Sequence, residues 1–447
     1  MSIQKLIVLA ALLWLTGWPM LLHAEIIRIS VAENGSESNA DSYQARLSDN
    51  GSIVVYRSNA DNLVANDTND WPDIFLRDVT AGSSERISLA PGGSQLTSYS
   101  KAPSISSDGQ WIVYEGRLGG ITSVLVYDRI NGITLNPLPD TFSGNPDTPS
   151  TARVGPAIAG NGSVFAFQTN SALQNAFPAS IRPVNDDTDT APDIFIYDLV
   201  TSPTPPVQRI SRQSNSNSLD ADNRNPSIDE TGQFIAFESF SDLLPEDDNN
   251  QGDILLKDRL NGPLQLISAT PAGASGNAVS LEPAISDNGN FVAFRSGASN
   301  LVPEDTNARL DIFVRNVSAG TTERVSVASD SSQANQNSFE PDISGDGRFV
   351  VFRSNASNLV AGDTNARTDI FVHDRSTGET ARVGQPAGED SNGNSVNPAI
   401  SGDGQWIVFE SDATNLVAGD TNGARDIFRA PNPLFNTRTT SPGGSHE

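Results

Sequence analysis

The chain has 447 residues, no cysteine, and 54 acidic against 28 basic side chains, for a formal net charge of −26. Such a surface repels phosphate backbones and anionic lipid, which excludes nucleic acid as a partner. Without cysteine, no disulfide can hold the fold.

Residues 1–24 read as a secretory signal. Lys5 is the n-region charge, Leu6 to Leu15 is an apolar run, and Leu22-His23-Ala24 is a cleavage site that would leave Glu25 at the new N-terminus. The run is short for a bilayer span; retention as an N-terminal anchor is the alternative. A periplasmic or secreted bacterial protein with no membrane span after cleavage is therefore expected. Next comes Glu25-Ile26-Ile27-Arg28-Ile29-Ser30, whose pattern is that of the last strand of a repeat, not the first.

From there one phrase recurs seven times, for example ISDNGNFVAFRS and ISGDGQWIVFES, with turn glycines at Gly51, Gly109, Gly162, Gly232, Gly289, Gly347 and Gly404. Self-similarity at such a period signals an array of one supersecondary unit. In the unit from Glu282, Pro283 to Ser286 is a short strand and Asp287-Asn288-Gly289 a tight turn. Phe291 to Phe294 is apolar on both faces, as a strand covered on both sides must be. A polar loop leads to a third strand, Asp311 to Val314, and a turn to a partly exposed fourth, Thr322 to Ser326. This predicts an all-β fold, a seven-bladed β-propeller of four-stranded antiparallel blades over residues 25–430. The key aromatic of the second strand (Tyr56, Tyr114, Phe167, Phe237, Phe294, Phe352, Phe409) is assigned to the core. The last unit lacks a fourth strand, because Pro431 and Pro433 follow Phe428, so the N-terminal strand is expected to complete it and close the ring. Residues 431–447 are read as a disordered tail. The residue after each aromatic is often charged (Arg57, Glu115, Glu238, Arg295, Arg353, Glu410), which predicts ion pairs between blades one and two, four and five, and seven and one.

The phrase Pro398-Ala399-Ile400-Ser401-Gly402-Asp403-Gly404-Gln405-Trp406-Ile407-Val408-Phe409-Glu410-Ser411, followed by Asp426-Ile427-Phe428, resembles the TolB-type, WD-like propeller repeat over residues 26–430. The resemblance implies a protein-binding platform in the bacterial envelope. The chain has seven units where the TolB propeller has six.

Two groups of residues carry candidate chemistry. The loop N-L-V-x-x-D-T-N-x-x-x-D places oxygen ligands at Asp305, Asn307 and Asp311, at Asp363, Asn365 and Asp369, and at Asp420, Asn422 and Asp426. These suit Ca²⁺, or else an Asx turn whose side chains bond local amides. First strands line the channel of a propeller, so Glu282, Glu340 and Asp342, with Arg46, form a ligand-binding candidate at its mouth. No G-x-S-x-G elbow, P-loop, dinucleotide fingerprint or zinc spacing is present, and of three histidines only His373 falls within a repeat. No catalytic residue is assigned. The reading is a monomeric, non-catalytic binding or scaffold propeller, needing no cofactor unless calcium, that engages a protein partner through blade loops or the channel mouth. A carbohydrate-active or small-substrate enzyme using channel carboxylates, and a calcium-stabilised cell-surface module, are the alternatives.

Overall fold

A computed structural model describes residues 25–138, 155–170, 191–200, 207–211, 222–260, 262–386 and 389–435. The signal, the tail beyond Phe435 and most of the long third-unit insertion lie outside the described residues. The strands form seven four-stranded antiparallel sheets, one per repeat. Blade one is Ser42–Leu47, Ile53–Ser58, Asp73–Asp78 and Ser83–Arg86. Blade seven is Ser395–Ile400, Trp406–Ser411 and Asp426–Pro431, completed by Ile27–Arg28 from the other end of the chain. Ile27 pairs with Arg429 and Arg28 with Phe428, and Ile29 N–H donates to the Ile427 carbonyl at 2.7 Å. This closure covers the third strand of blade seven and leaves only a two-residue strand at its outer edge. Beyond Pro431 the chain still packs: Leu434 is buried and the Phe435 ring lies 6.3 Å from Phe349, so the fold runs past the tail boundary expected at residue 431.

The apolar side chains make seven clusters, each shared by two adjacent blades. Second strands feed both neighbours alternately. Val54 and Tyr56 enter the layer shared with blade seven, while Ile53 and Val55 enter the layer shared with blade two. All seven key aromatics are fully buried. Five of them stack on the aromatic directly opposite on the third strand, as in Tyr56–Phe75 and Phe352–Phe371, both with centroids 6.0 Å apart. Such pairs add to the value of their burial.

The turn glycines have two reasons to be glycine. Each has a positive φ, for example 76° at Gly347. Each also lies under the first side chain of the preceding blade's second strand: a Cβ on Gly347 would collide with the Phe291 ring, and one on Gly51 would come within 2.5 Å of Trp406. Blade two departs from the pattern. Its middle strands, Trp111–Leu118 and Ile121–Asp128, are joined by Gly119-Gly120 alone, both at positive φ as a two-residue hairpin turn requires.

Gly362 also has a positive φ, 81°, but a methyl group added there would meet nothing within 4 Å. Gly347→Ala should therefore cost about 1–3 kcal/mol more than Gly362→Ala, the usual range for overpacking. Denaturant unfolding of the two variants checks this; equal losses would mean that only the backbone conformation matters.

Candidate functional site: the channel and the blade loops

First strands surround a central cavity of 430 Å³ whose lining includes Gln44, Arg46, Asn225, Glu282, Glu340, Asp342 and Asn397. All four channel-mouth residues expected from sequence are thus brought together. The first strands of six blades carry a β-bulge, as between Leu281 and Ala284, and the short described first strand of blade three shows none. The bulged residue has a left-handed backbone: φ is 55° at Gln44, 60° at Glu282, 53° at Glu340 and 49° at Asn397. In most blades a proline follows, which has no N–H to lose from the ladder.

The bulge turns an N–H toward the preceding blade, and a side-chain oxygen there accepts it. Glu340 N–H donates to Glu282 at 2.8 Å, Asn397 N–H to Glu340 at 2.8 Å and Ala102 N–H to Gln44 at 3.0 Å. Where the bulged residue is asparagine, the second-strand glutamate takes over. Glu238 accepts Glu282 N–H and Glu410 accepts Gln44 N–H, both at 2.7 Å, and each also accepts the side-chain amide of its own blade's Asn225 or Asn397. The charges expected to pair between blades are instead answered within one. Arg295 pairs with Glu282 at 3.3 Å, Arg353 with Glu340 at 2.7 Å, Lys101 with Glu115 at 3.0 Å and Arg425 with Glu410 at 3.5 Å, while Arg57 lies over the Tyr43 ring. At the bulges, carboxylates reach across the blade boundary to amides; arginines cross it only away from the bulges, as Arg375 does to Glu323 at 2.6 Å and Arg259 to Asp198 at 3.7 Å.

Asp342 joins the same scheme, accepting Ile400 N–H at 2.9 Å. Burial raises its pKa, and the positive charge of Arg46 opposes the shift. Arg46 is exposed in the channel, and its guanidinium donates to the Ala45 carbonyl at 2.8 Å. His373 is buried against Thr380, with Nδ1 2.8 Å from the hydroxyl, and burial lowers its pKa. It faces a strand neighbour and not the channel lining.

At the opposite mouth, where first strands turn into second, the structure assembles a group that sequence reading missed. Asp49, Glu230 and Asp287 come from the turns of blades one, four and five, and their oxygens lie within 4.8 Å of one another. Glycines at the matching position elsewhere admit them. A Cβ on Gly345, Gly402 or Gly160 would collide with Asp287, Asp49 or Glu230 respectively. Ser107 donates to Glu230 at 2.5 Å. Burial first, and the neighbouring acids second, raise Asp287 to about 7. This trio could share protons or hold a cation.

The Asp-Thr-Asn loops carry their own counter-ion. Arg324, on the fourth strand, lies 2.9 Å from Asp305 and 3.7 Å from Asp311; Arg382 lies 3.1 Å from Asp363 and 3.3 Å from Asp369; Arg28 lies 3.2 Å from Asp420 and 3.3 Å from Asp426. Asn307, Asn365 and Asn422 each donate to the second aspartate and accept the N–H two residues on, which is the Asx turn. In these blades a guanidinium pairs with both acids that the Ca²⁺ reading uses as ligands.

No family model and no curated protein matches the sequence. Solved structures do match in fold. An oligogalacturonate lyase from Vibrio parahaemolyticus is 10% identical with a TM-score of 0.55, over 91% of this chain and 93% of that one. The β-propeller domain of the trilobed protease from Pyrococcus furiosus is 12% identical with a TM-score of 0.51, over 87% and 92%. TolB from Acinetobacter baumannii also matches, at 15% identity and a TM-score of 0.37, over 64% of this chain and 54% of that one. The chain thus spans about half the length of that TolB. What is shared with the lyase and the protease domain is the propeller fold. Among the described residues no helix is long and apolar enough to cross a membrane.

A carboxyl whose pKa is higher in the folded than in the unfolded state binds its proton more tightly when folded, so stability falls as pH rises through the interval. For Asp287 that interval runs from 3.8 to about 7. In buffer containing EDTA, Asp287→Asn should flatten the decline in unfolding free energy across it and leave the variant more stable than the parent at alkaline pH. An unchanged slope would mean that the trio is not strained by its charge.

Proposed function

We propose that this is a secreted or periplasmic binding propeller, without catalytic machinery of its own, that docks a protein partner on the blade face formed by the turns between third and fourth strands. The observation that carries the reading is an apolar arc on three consecutive blades. Ile130, Val200 and Leu260 occupy the same turn position in blades two, three and four and are 71%, 69% and 55% exposed. The corresponding residues of blades one, five and six are Thr80, Ser318 and Ser376. Ile133 and Leu135 on the outer strand of blade two extend the arc and are also exposed. Large apolar side chains left exposed at one turn position of three neighbouring blades, where other blades carry threonine or serine, fit an interaction surface.

The state of the channel acids supports binding over acid–base work. Glu282 and Glu340 in the channel each hold a main-chain N–H and an arginine, as does Glu410 on the second strand, and general catalysis needs a group free to give or take a proton. The secretory signal read at residues 1–24 and the acidic surface support the location.

Substituting Ile130, Val200 and Leu260 by aspartate together should leave the melting temperature within experimental error, since exposed sites contribute little. Crosslinked pull-down from the native envelope fraction should lose the partner captured by the parent chain. Capture of the same partner in the same yield would move the docking site elsewhere.

A further inference from the structure

Blade four breaks the rule of the Asp-Thr-Asn loops in one respect. Its loop keeps both acids, Asp247 and Asp253, and keeps Asn249, which donates to Asp253 at 2.8 Å and accepts Gln251 N–H at 2.6 Å. Ser268 donates to the other oxygen of Asp253 at 2.5 Å, as Ser88 and Ser326 do to Asp73 and Asp311. The arginine, however, is gone. It stands opposite the third-strand core residue in blades one, three, five, six and seven, as Arg86, Arg209, Arg324, Arg382 and Arg28. In blade four that register position, opposite Leu255, is Leu266.

A second shortening accompanies the first. In blade one Gln95 donates to Asp67 at 2.8 Å and Arg86 lies 2.8 Å from the same carboxylate. The counterpart of Gln95 in blade four, at the matching isolated bridge, is Ser275. Asp247 therefore loses both of the partners that its equivalent has. It is only 2% exposed, and neither of its oxygens has a hydrogen-bond partner. Asp253 is fully buried. The two carboxyls face each other; burial first, and then the charges of Asp253, Asp242 and Asp248, raise the pKa of Asp247, and burial with the charge of Asp242 raises that of Asp253. Blade two shows the converse: it has lost the acid and the arginine together, with Ser123 in the place of the second aspartate. Among the described residues, then, the second acid and the guanidinium are kept together or lost together, except in blade four. A buried charge without a partner is expensive.

We propose that blade four binds a hard divalent cation between Asp247 and Asp253, where the guanidinium lies in its siblings. Two carboxylates, one with both oxygens unengaged, provide the oxygen-only donors that Ca²⁺ or Mg²⁺ prefers, with water completing the shell. Softer metals have no imidazole or thiolate here. The ion would fasten the loop before the third strand, as the arginine does elsewhere.

The test is calorimetric melting of the full mature chain in EDTA and in excess CaCl₂ or MgCl₂, with titration calorimetry for stoichiometry. The parent should melt about 3 °C higher in saturating cation, the scale expected for ligand at a hundredfold excess over Kd in a chain of this size. Leu266→Arg should abolish the response while melting in EDTA at least as high as the parent does with cation, because it restores the siblings' solution. Asp247→Asn, which removes the charge without adding bulk, should also abolish the response, so a misfolded Leu266→Arg would not blunt the test. No response of the parent to either cation would overturn the proposal and leave a shared proton as the compensation. A response that survives in Leu266→Arg or Asp247→Asn would overturn it too, since the ion would then sit elsewhere, for instance at Asp49, Glu230 and Asp287.

Discussion

One hydrogen bond recurs at five of the blade junctions: a main-chain N–H at the first-strand bulge, donated to a side-chain oxygen of the preceding blade. Left-handed backbone at Gln44, Glu282, Glu340 and Asn397 is unfavourable for residues with a Cβ. It persists because the N–H it redirects meets a carboxylate or amide oxygen, and a charged acceptor roughly doubles the strength of such a bond. The apolar layers between blades supply most of the stabilisation, but they are non-directional. The amide-to-oxygen bonds fix how far one blade is rotated against the next. They also account for the chemistry of the channel, whose acids are occupied in joining blades.

The parts legible in sequence were those that repeat locally. The key aromatics, the strand order within a unit and the closing strand all follow from patterns of a few residues, and the structure places each where the pattern puts it. The turn glycines were half legible. A turn explains their positive φ, but the approach of Phe291 to Gly347 joins two units and leaves no local trace. The inter-blade ion pairs were misjudged for a related reason. The acceptor role alternates between the bulge position, as at Glu282 and Glu340, and the second strand, as at Glu238 and Glu410. A single column of the repeat shows charges of mixed sign, which invites pairing them with each other. The two columns together reveal the exchange: arginine after the aromatic goes with glutamate or glutamine at the bulge, and glutamate after it with asparagine in blades four and seven.

The carboxylates that sequence reading passed over share a cause. Asp49, Glu230 and Asp287 stand at a turn position that varies among acid, serine and glycine, and only the curvature of the ring brings blade one against the neighbouring blades four and five there. The arginine of the Asp-Thr-Asn loops was hidden because an outer strand with alternating polar residues is expected to face water. In fact Arg324 and Arg382 are mostly buried and neutralise aspartates on the loop before the third strand. The bulge bond that joins blades is shown at five junctions and not at those of blade three with its neighbours. What distinguishes the molecule is concentrated in blades two to four: the clipped hairpin at Gly119-Gly120, the exposed aliphatic turns, and the arginine-free acid pair.

Amide hydrogen exchange at the bulges measures the central claim most directly, because these N–H groups border a solvent-filled channel and not a conventional ladder. If they lock blade to blade, the amides of Gln44, Glu282, Glu340 and Asn397 should exchange only through global opening, at the rate of core amides such as that of Phe294. Exchange as fast as that of an exposed loop amide such as Gly362 would show that the side-chain oxygens do not hold them, and the account of the channel would fail with it.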